Sequence, residues 1–448
     1  MKKLKFQELL AVASMLFGMF FGAGNLIFPA SMGQLAGRNV WVATAGFLVT
    51  GVGLPLLGVA ALGISRADGL LGLSSRVGRK YGLFFTCLLY LTIGPFFAIP
   101  RCATVSYTVG LQQLLPGVNE SLALAVFSVV FFGVALFFSL RPGEILTWIG
   151  KVLNPLFLGC LAVLLVRALT APLGEIGQIA PTGAYAADAF ATGLLEGYNT
   201  MDALAGLAFG IIVVDAIRRL GVTEPGQIAR DTIRAGVFSA LLMALIYLLV
   251  AVVGAQSRGM FEAAPNGGEA LAQIARYYFG GAGGLILAAT VTVACLKTTV
   301  GLITSCGETF VRLFPAGPSY PVWAVGFCAL SLLLANLGLD AIIAYSVPVL
   351  MFLYPLSIVL ILLTLVGKLF GNSRTVLAGT VGCTIPAALL DLAGALPAGA
   401  QGALKLEPVL RLTQWLPLAD KGFGWVCPAL LGLALGLVFD RLGRRKAA

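Results

Sequence analysis

The chain has 448 residues, a formal net charge of +10, no histidine and eight cysteines. Apolar residues make up 59% and charged residues 11%, against ~25% charged in a soluble domain, and mean hydropathy is +0.97. A water-soluble fold of this length has nowhere to hide so much apolar surface, so lipid is the solvent. The lack of histidine excludes His-based hydrolytic triads and His-ligated metal.

A window of ~20 apolar residues predicts an all-α chain with twelve spans, at 7–33, 40–64, 81–113, 120–139, 144–168, 187–217, 233–254, 283–310, 321–338, 341–366, 375–395 and 424–440. The first follows a basic start, Met1-Lys-Lys-Leu-Lys. Its apolar run continues without an A-x-A cleavage site, so it reads as a span and not a removable signal. The linkers are short except 170–186 and those after spans seven and eleven. The stretch 259–280, with Glu262, Glu269 and Arg276, reads as a surface helix or hairpin lid.

With both termini cytoplasmic, basic residues favour the inner face by roughly three to one, which the positive-inside rule demands. Arg101 and Lys297 remain within spans and count for neither face. The net charge is therefore a topology signal facing anionic lipid and calls for no nucleic-acid partner. The cysteines lie in apolar stretches with no CxxC spacing, which suits small packing residues better than a disulfide framework.

Two spans contain residues that helices avoid. Span one reads Phe20-Phe21-Gly22-Ala23-Gly24-Asn25-Leu26, and span six reads Leu195-Glu196-Gly197-Tyr198-Asn199-Thr200-Met201-Asp202. Each glycine costs ~1 kcal/mol relative to alanine in a helix, and polar groups at bilayer depth must face protein or a water-filled cavity. The breaks lie an odd number of spans apart, so their helices run in opposite directions, the pattern of inverted repeats with a site where half-helices meet. A helix restarting near Leu26 offers free N–H groups and a positive dipole end to a carboxylate. Half-helices ending near Phe21 and Tyr198 offer carbonyls to an ammonium group or a metal cation. One pocket with both fits a zwitterion with an apolar tail.

Five segments carry a resemblance: Phe21–Pro29, Gly94–Arg101, Glu196–Ala203, Ala294–Leu302 and Ser331–Leu339. Together and in this order they resemble the branched-chain amino acid:cation symporter family of the BrnQ type. The likeness runs from about residue 5 to residue 370 and more weakly beyond. It implies a LeuT-like fold of the amino acid/polyamine/cation transporter superfamily, with discontinuous helices 1 and 6. The two inverted five-helix repeats would be 5–169 and 187–370, with two additional C-terminal helices at 375–440. It also implies a bacterial inner-membrane, multi-pass transporter of leucine, isoleucine and valine, usually driven by sodium. Such a protein is not an enzyme and needs no cofactor, resident metal or obligate protein partner; its partners are the amino acid and the bilayer.

Carried onto this chain, the family-like substrate positions are Gly22, Ala23, Gly24, Asn25, Tyr198, Asn199 and Thr200. The sodium site maps to the carbonyls of Gly18 and Phe21 with Ala294, Lys297 and Thr298. There the chain departs from the pattern, because an oxygen ligand is expected where Lys297 stands. Lys297 lies ~21 Å along span eight at 1.5 Å per residue, too deep to snorkel easily, and a lysine there costs at least ~2.5 kcal/mol on insertion scales. Its ammonium is expected in the place of the bound sodium ion, hydrogen-bonded to Thr298 and to carbonyls of the first break. Transport would then be proton-coupled or cation-independent. Two alternatives stay open: an ion pair of Lys297 with Asp202 or Glu308, and sodium bound elsewhere, near Asn25.

Arg101 suits a clamp on a carboxylate or an outer gate, or a snorkelling side chain. Asp202 suits an ammonium partner, a proton acceptor or a helix cap. Among the phenylalanines Phe20, Phe21 and Phe190, one or two should line an apolar pocket. Competing readings are a same-fold transporter of another solute, a channel, for which no continuous polar lining exists, and an intramembrane enzyme, for which no catalytic constellation exists.

Overall fold

A computed structural model describes residues 3–22, 24–65, 67, 69–112, 117–144, 146–413 and 415–447, with the side chains of Leu146 and of residues 444–447 left out. Among the described residues every regular element is helical. Ten helical segments are long and apolar enough to cross a membrane, and two shorter apolar helices, Phe6–Phe20 and Tyr320–Ala335, accompany them. The protein is an integral membrane protein. Large apolar side chains are exposed on the outer helices, as at Leu122, Val126 and Val130 of Glu120–Ser139. In water such a face would be unstable, but against acyl chains it costs nothing.

The first predicted span is two helices, Phe6–Phe20 and Gly24–Ala36. The chain leaves helical geometry at Phe21 (φ −76°, ψ 89°). The restart is at Gly24, two residues earlier than the expected Leu26. The second break is tighter than an unwound stretch. Helix Ala189–Glu196 runs into a 3₁₀ turn, Gly197–Thr200, and Met201 then takes left-handed geometry (φ 65°) before helix Asp202–Arg219 begins. A β-carbon in that region costs ~1–2 kcal/mol, offset here by burial of Met201 and by its N–H donating to the Tyr198 carbonyl at 3.0 Å. A third interruption was not anticipated. Within Arg79–Leu111, Gly94 is non-helical (ψ −123°) immediately before Pro95, which removes a backbone donor and kinks the helix. Helix Ala98–Val105, carrying Arg101, starts afresh beyond it.

Small residues bring these pieces together. A β-carbon at Gly33 would stand 2.0 Å from the Ala251 carbonyl oxygen, and one at Gly254 2.4 Å from that of Ala30. Helices Gly24–Ala36 and Pro225–Ser257 thus touch backbone to backbone, the small-residue packing that lipid-embedded helices favour. The surface stretch 259–280 contains helix Gly267–Phe279, which packs on Gly24–Ala36. Beyond span eleven lie two short helices, Ala398–Ala403 and Glu407–Thr413, which periodicity did not reveal.

Candidate functional site

The two breaks meet in the interior. The Asn25 amide nitrogen donates to Asp202 Oδ2 at 2.6 Å and also to the Tyr247 hydroxyl, which itself donates to Asp202 Oδ2 at 2.7 Å. Asn25 Oδ1 accepts the Gly22 N–H at 2.9 Å. One buried amide therefore closes the loop of the first break and ties it to the first residue of the helix after the second. At the second break the Thr200 hydroxyl donates to the Gly197 carbonyl at 2.9 Å and accepts the Asp202 N–H at 3.3 Å.

A cavity opens beside this junction. Gly22, Gly24, Asn25, Arg101, Thr200, Asp202 and Thr298 form its polar part, and Met19, Phe20, Ile93, Ala205, Phe209 and Leu302 are among its apolar walls. About 30 Å³ of it is open to the centre of a water-sized sphere, room for one or two waters. Arg101, 4% exposed, donates to the Asn199 carbonyl at 2.9 Å and lies over the Phe28 ring at 5.5 Å. A guanidinium has five N–H donors in a planar fork, and the kink at Gly94 and Pro95 sets it among the polar walls instead of letting it reach the lipid surface.

Lys297 is fully buried behind this cavity. Its Nζ donates to the Phe21 carbonyl at 2.9 Å and to the Gly18 carbonyl at 3.3 Å. The rings of Phe157, Phe17 and Phe21 surround it at 4.2, 5.1 and 5.6 Å from their centroids. Thr298 stands beside the amine, its hydroxyl donating to the same Gly18 carbonyl at 3.4 Å.

Of the residues expected at the site, Gly22, Gly24, Asn25, Arg101, Thr200, Asp202 and Thr298 converge on the cavity, while Gly18, Phe21 and Lys297 converge just behind it. Ala23 lies outside the described residues. Asn199 contributes its carbonyl, to Arg101. Tyr198 turns away from the cavity and stacks on Tyr354 at 4.1 Å. Ala294 is buried but does not line the cavity. Among the described residues Lys297 forms no ion pair: Asp202 is engaged by Asn25 and Tyr247, and Glu308 lines a different cavity with Asp215 and Arg219. Phe20 is a cavity wall, whereas Phe190 is 43% exposed. Tyr247, Phe17 and Phe157 were not anticipated. Tyr247, a lone hydroxyl within the apolar run 240–253, was the one with a visible signal.

Residues 5–443 match the family described as branched-chain amino acid transport protein. The chain is 52% identical over 448 residues to the branched-chain amino acid permease BrnQ of Lactobacillus delbrueckii subsp. lactis, covering 100% of both chains. It is 41% identical over 432 residues to BraB of Bacillus subtilis (strain 168), covering 96% of this chain and 95% of that one. A branched-chain amino acid transport system 2 carrier protein of Pseudomonas aeruginosa is 43% identical over 444 residues, with 99% and 98% covered. Among solved structures, the closed conformation of Mhp1, a nucleobase-cation-symport-1 family transporter with bromovinylhydantoin bound, superposes with a TM-score of 0.60 at 14% identity, covering 98% of this chain and 93% of that one. The inward-facing form of Mhp1 gives 0.59. That likeness places the fold in the LeuT-like class and speaks to fold alone. The chain belongs to the branched-chain amino acid transport protein family.

Proposed function

We propose that this protein is a secondary transporter that carries leucine, isoleucine and valine across the bacterial inner membrane by alternating access, and that it works without sodium, using protons. The observation that carries the coupling reading is the Lys297 amine bonded to the Phe21 and Gly18 carbonyls, the oxygens that the family resemblance assigns to a sodium ion. A bound cation is thereby replaced by a tethered one, which gains or loses charge by moving a proton and not by exchanging an ion.

The proposed architecture is twelve spans with both termini cytoplasmic, in two inverted five-helix repeats, 5–169 and 187–370, followed by the pair at 375–440. In the substrate pose the carboxylate meets the first-turn N–H groups at Gly24, Asn25 and Leu26, where free donors and helix dipole add, and the Arg101 fork. The ammonium group lies towards Asp202 and Thr200. The branched tail lies among Met19, Phe20, Ile93, Ala205, Phe209 and Leu302, which hold apolar carbon by burial at ~25 cal/mol per Å². The relatives named as branched-chain amino acid permeases and carriers support this choice of solute.

The test is leucine uptake by the reconstituted protein with sodium replaced by choline, from about pH 5 to pH 8, with competition by a panel of amino acids. Uptake that persists in choline, responds to pH and is competed by isoleucine and valine is expected. Strict sodium dependence with no pH response contradicts the coupling reading, and preferential competition by aromatic amino acids or amines contradicts the solute.

A further inference from the structure

A second cavity continues from the first along the same two helices. In helix Asp202–Arg219, Ala205 and Phe209 are walls of the substrate cavity, while Ile212, Ala216 and Arg219 line the second. These five follow the three-and-four spacing of one helix face, so the second cavity begins ~4.5 Å past Phe209, the rise of three residues. In helix Gly281–Leu313, Leu302 belongs to the first cavity and Glu308 to the second, ~9 Å further along. Between them the Ser305 hydroxyl donates to the Ala208 carbonyl at 2.9 Å, joining the two helices. The rings of Phe20 and Phe209 meet edge to face at 5.5 Å. Both helices end in arginines, Arg218 and Arg219 on one and Arg312 on the other, the end that the proposed topology places in the cytoplasm.

About 120 Å³ of this second cavity is open to the centre of a water-sized sphere. One water needs ~10–15 Å³ on that measure, so the space holds roughly ten heavy atoms, the size of leucine. Half-buried Glu308 lines it, and its Oε2 is a buried atom with no hydrogen-bond partner among the described residues. Arg219 is exposed, and its guanidinium makes no hydrogen bond or ion pair among the described residues. It lies against the turn between spans four and five, where a β-carbon at Gly143 would stand 2.6 Å from Arg219 Nη1. Asp215, the other acid of the cavity, is already engaged: its Oδ2 pairs with Arg312 at 2.9 Å and its Oδ1 lies 3.6 Å from Arg218 Nη1. What remains is one carboxylate and one guanidinium beside the apolar carbon of Ile212 and Leu220. A metal ion would find too few oxygens there and a repelling guanidinium. A phosphate would be repelled by Glu308.

Resting on the solute and the topology proposed above, we propose that this cavity is a second amino-acid site, a station on the cytoplasmic side that holds the ammonium group of a branched-chain amino acid at Glu308 and its carboxylate at Arg219. A buried carboxylate oxygen with no donor is costly, and an ammonium group supplies the donor. The planar fork of Arg219 takes a carboxylate by two parallel bonds. A solute moving from one site to the other passes the Ser305–Ala208 bond and the Phe20–Phe209 pair. Those contacts separate the sites, so both are filled at once.

Equilibrium binding of labelled leucine to the detergent-solubilised full chain, carried to saturation, counts the sites. Wild type should bind two leucines per chain. Glu308→Gln and Arg219→Gln should each weaken the second at least about tenfold, the weight of one charge-assisted bond, and leave the first within about twofold of wild type. Asn25→Ala should do the reverse, and Glu308→Asp should keep part of the second binding. One leucine per chain in wild type, both components falling together in Glu308→Gln, or a second component unmoved in both variants overturns the station and leaves the transport reading standing. A wild type that binds no leucine overturns both. Should Glu308→Gln not fold, Arg219→Gln, which alters an exposed side chain, decides alone: an unchanged second component in it overturns the station.

Discussion

The Lys297 amine nitrogen stands 2.9 Å from the carbonyl oxygen of Phe21, the residue at which the first span stops being helical. The two groups are 276 residues apart in the chain. The unwinding of span one frees the carbonyl, and the lysine helix supplies a donor to it at the same depth. In the proposed proton-coupled mechanism, loss of the Lys297 proton would release the first break from span eight, as departure of a bound ion would.

Asn25 is the hinge pin between the breaks. In Asn25→Ala the Gly22 N–H, Asp202 and the Tyr247 hydroxyl all lose a partner. At ~1–3 kcal/mol for each buried group left unsatisfied, leucine binding should weaken by at least about tenfold. Tyr247→Phe removes one bond to the carboxylate and should weaken binding less than Asn25→Ala. Equilibrium binding of labelled leucine to detergent-solubilised protein measures both, and wild-type affinity in Asn25→Ala would contradict the role given to the amide.

Arg101 is assigned to the substrate carboxylate, a role that lysine fills poorly because it lacks the planar fork. Arg101→Lys should raise the leucine KM about tenfold, the cost of one charge-assisted bond. Leucinol, which has no carboxylate, should bind wild type and variant equally. A parallel loss of leucinol binding would mean that the guanidinium supports the site only by holding the Asn199 carbonyl.

Just ahead of the candidate membrane-crossing segment Ala189–Arg219, Asp188 caps helix Ala189–Glu196, its Oδ1 accepting the Ala191 N–H at 3.0 Å while Oδ2 pairs with Lys421 at 2.8 Å. The Lys421 partner and the cap hold the Asp188 carboxyl below its ordinary value of 3.8, and the same pair raises the Lys421 amine. A carboxylate held low contributes stability above its unfolded value and loses it as pH falls through the folded one. Asp188→Asn keeps a capping side chain but loses the charge, so its melting temperature should fall slightly below wild type near neutral pH. The difference should vanish as pH falls below about 4. A difference that does not change with pH would contradict the ionic contribution.

The breaks were legible because glycine, asparagine and threonine are conspicuous in apolar helices, and Lys297 was legible because a lysine at mid-span has no inexpensive explanation. What stayed hidden involves partners brought together only by folding. Tyr247 meets Asn25 across 222 residues. The rings of Phe17 and Phe157 around the amine resemble any lipid-facing phenylalanine when read in line. The interruption at Gly94 was visible only as a motif, since a glycine before a proline does not by itself say whether a span bends or breaks. Tyr198 was expected at the substrate because it sits in the second break, but the 3₁₀ turn that replaces simple unwinding rotates it onto Tyr354 instead.

The most direct measurement concerns which gradient drives leucine. In proteoliposomes, wild type should accumulate leucine on an imposed proton gradient and show none on an inward sodium gradient at constant pH. Lys297→Thr, which puts a hydroxyl where the ammonium stood, should reverse that preference. Sodium-driven accumulation by wild type at constant pH, unaltered in Lys297→Thr, would show that the buried amine does not stand in for the ion.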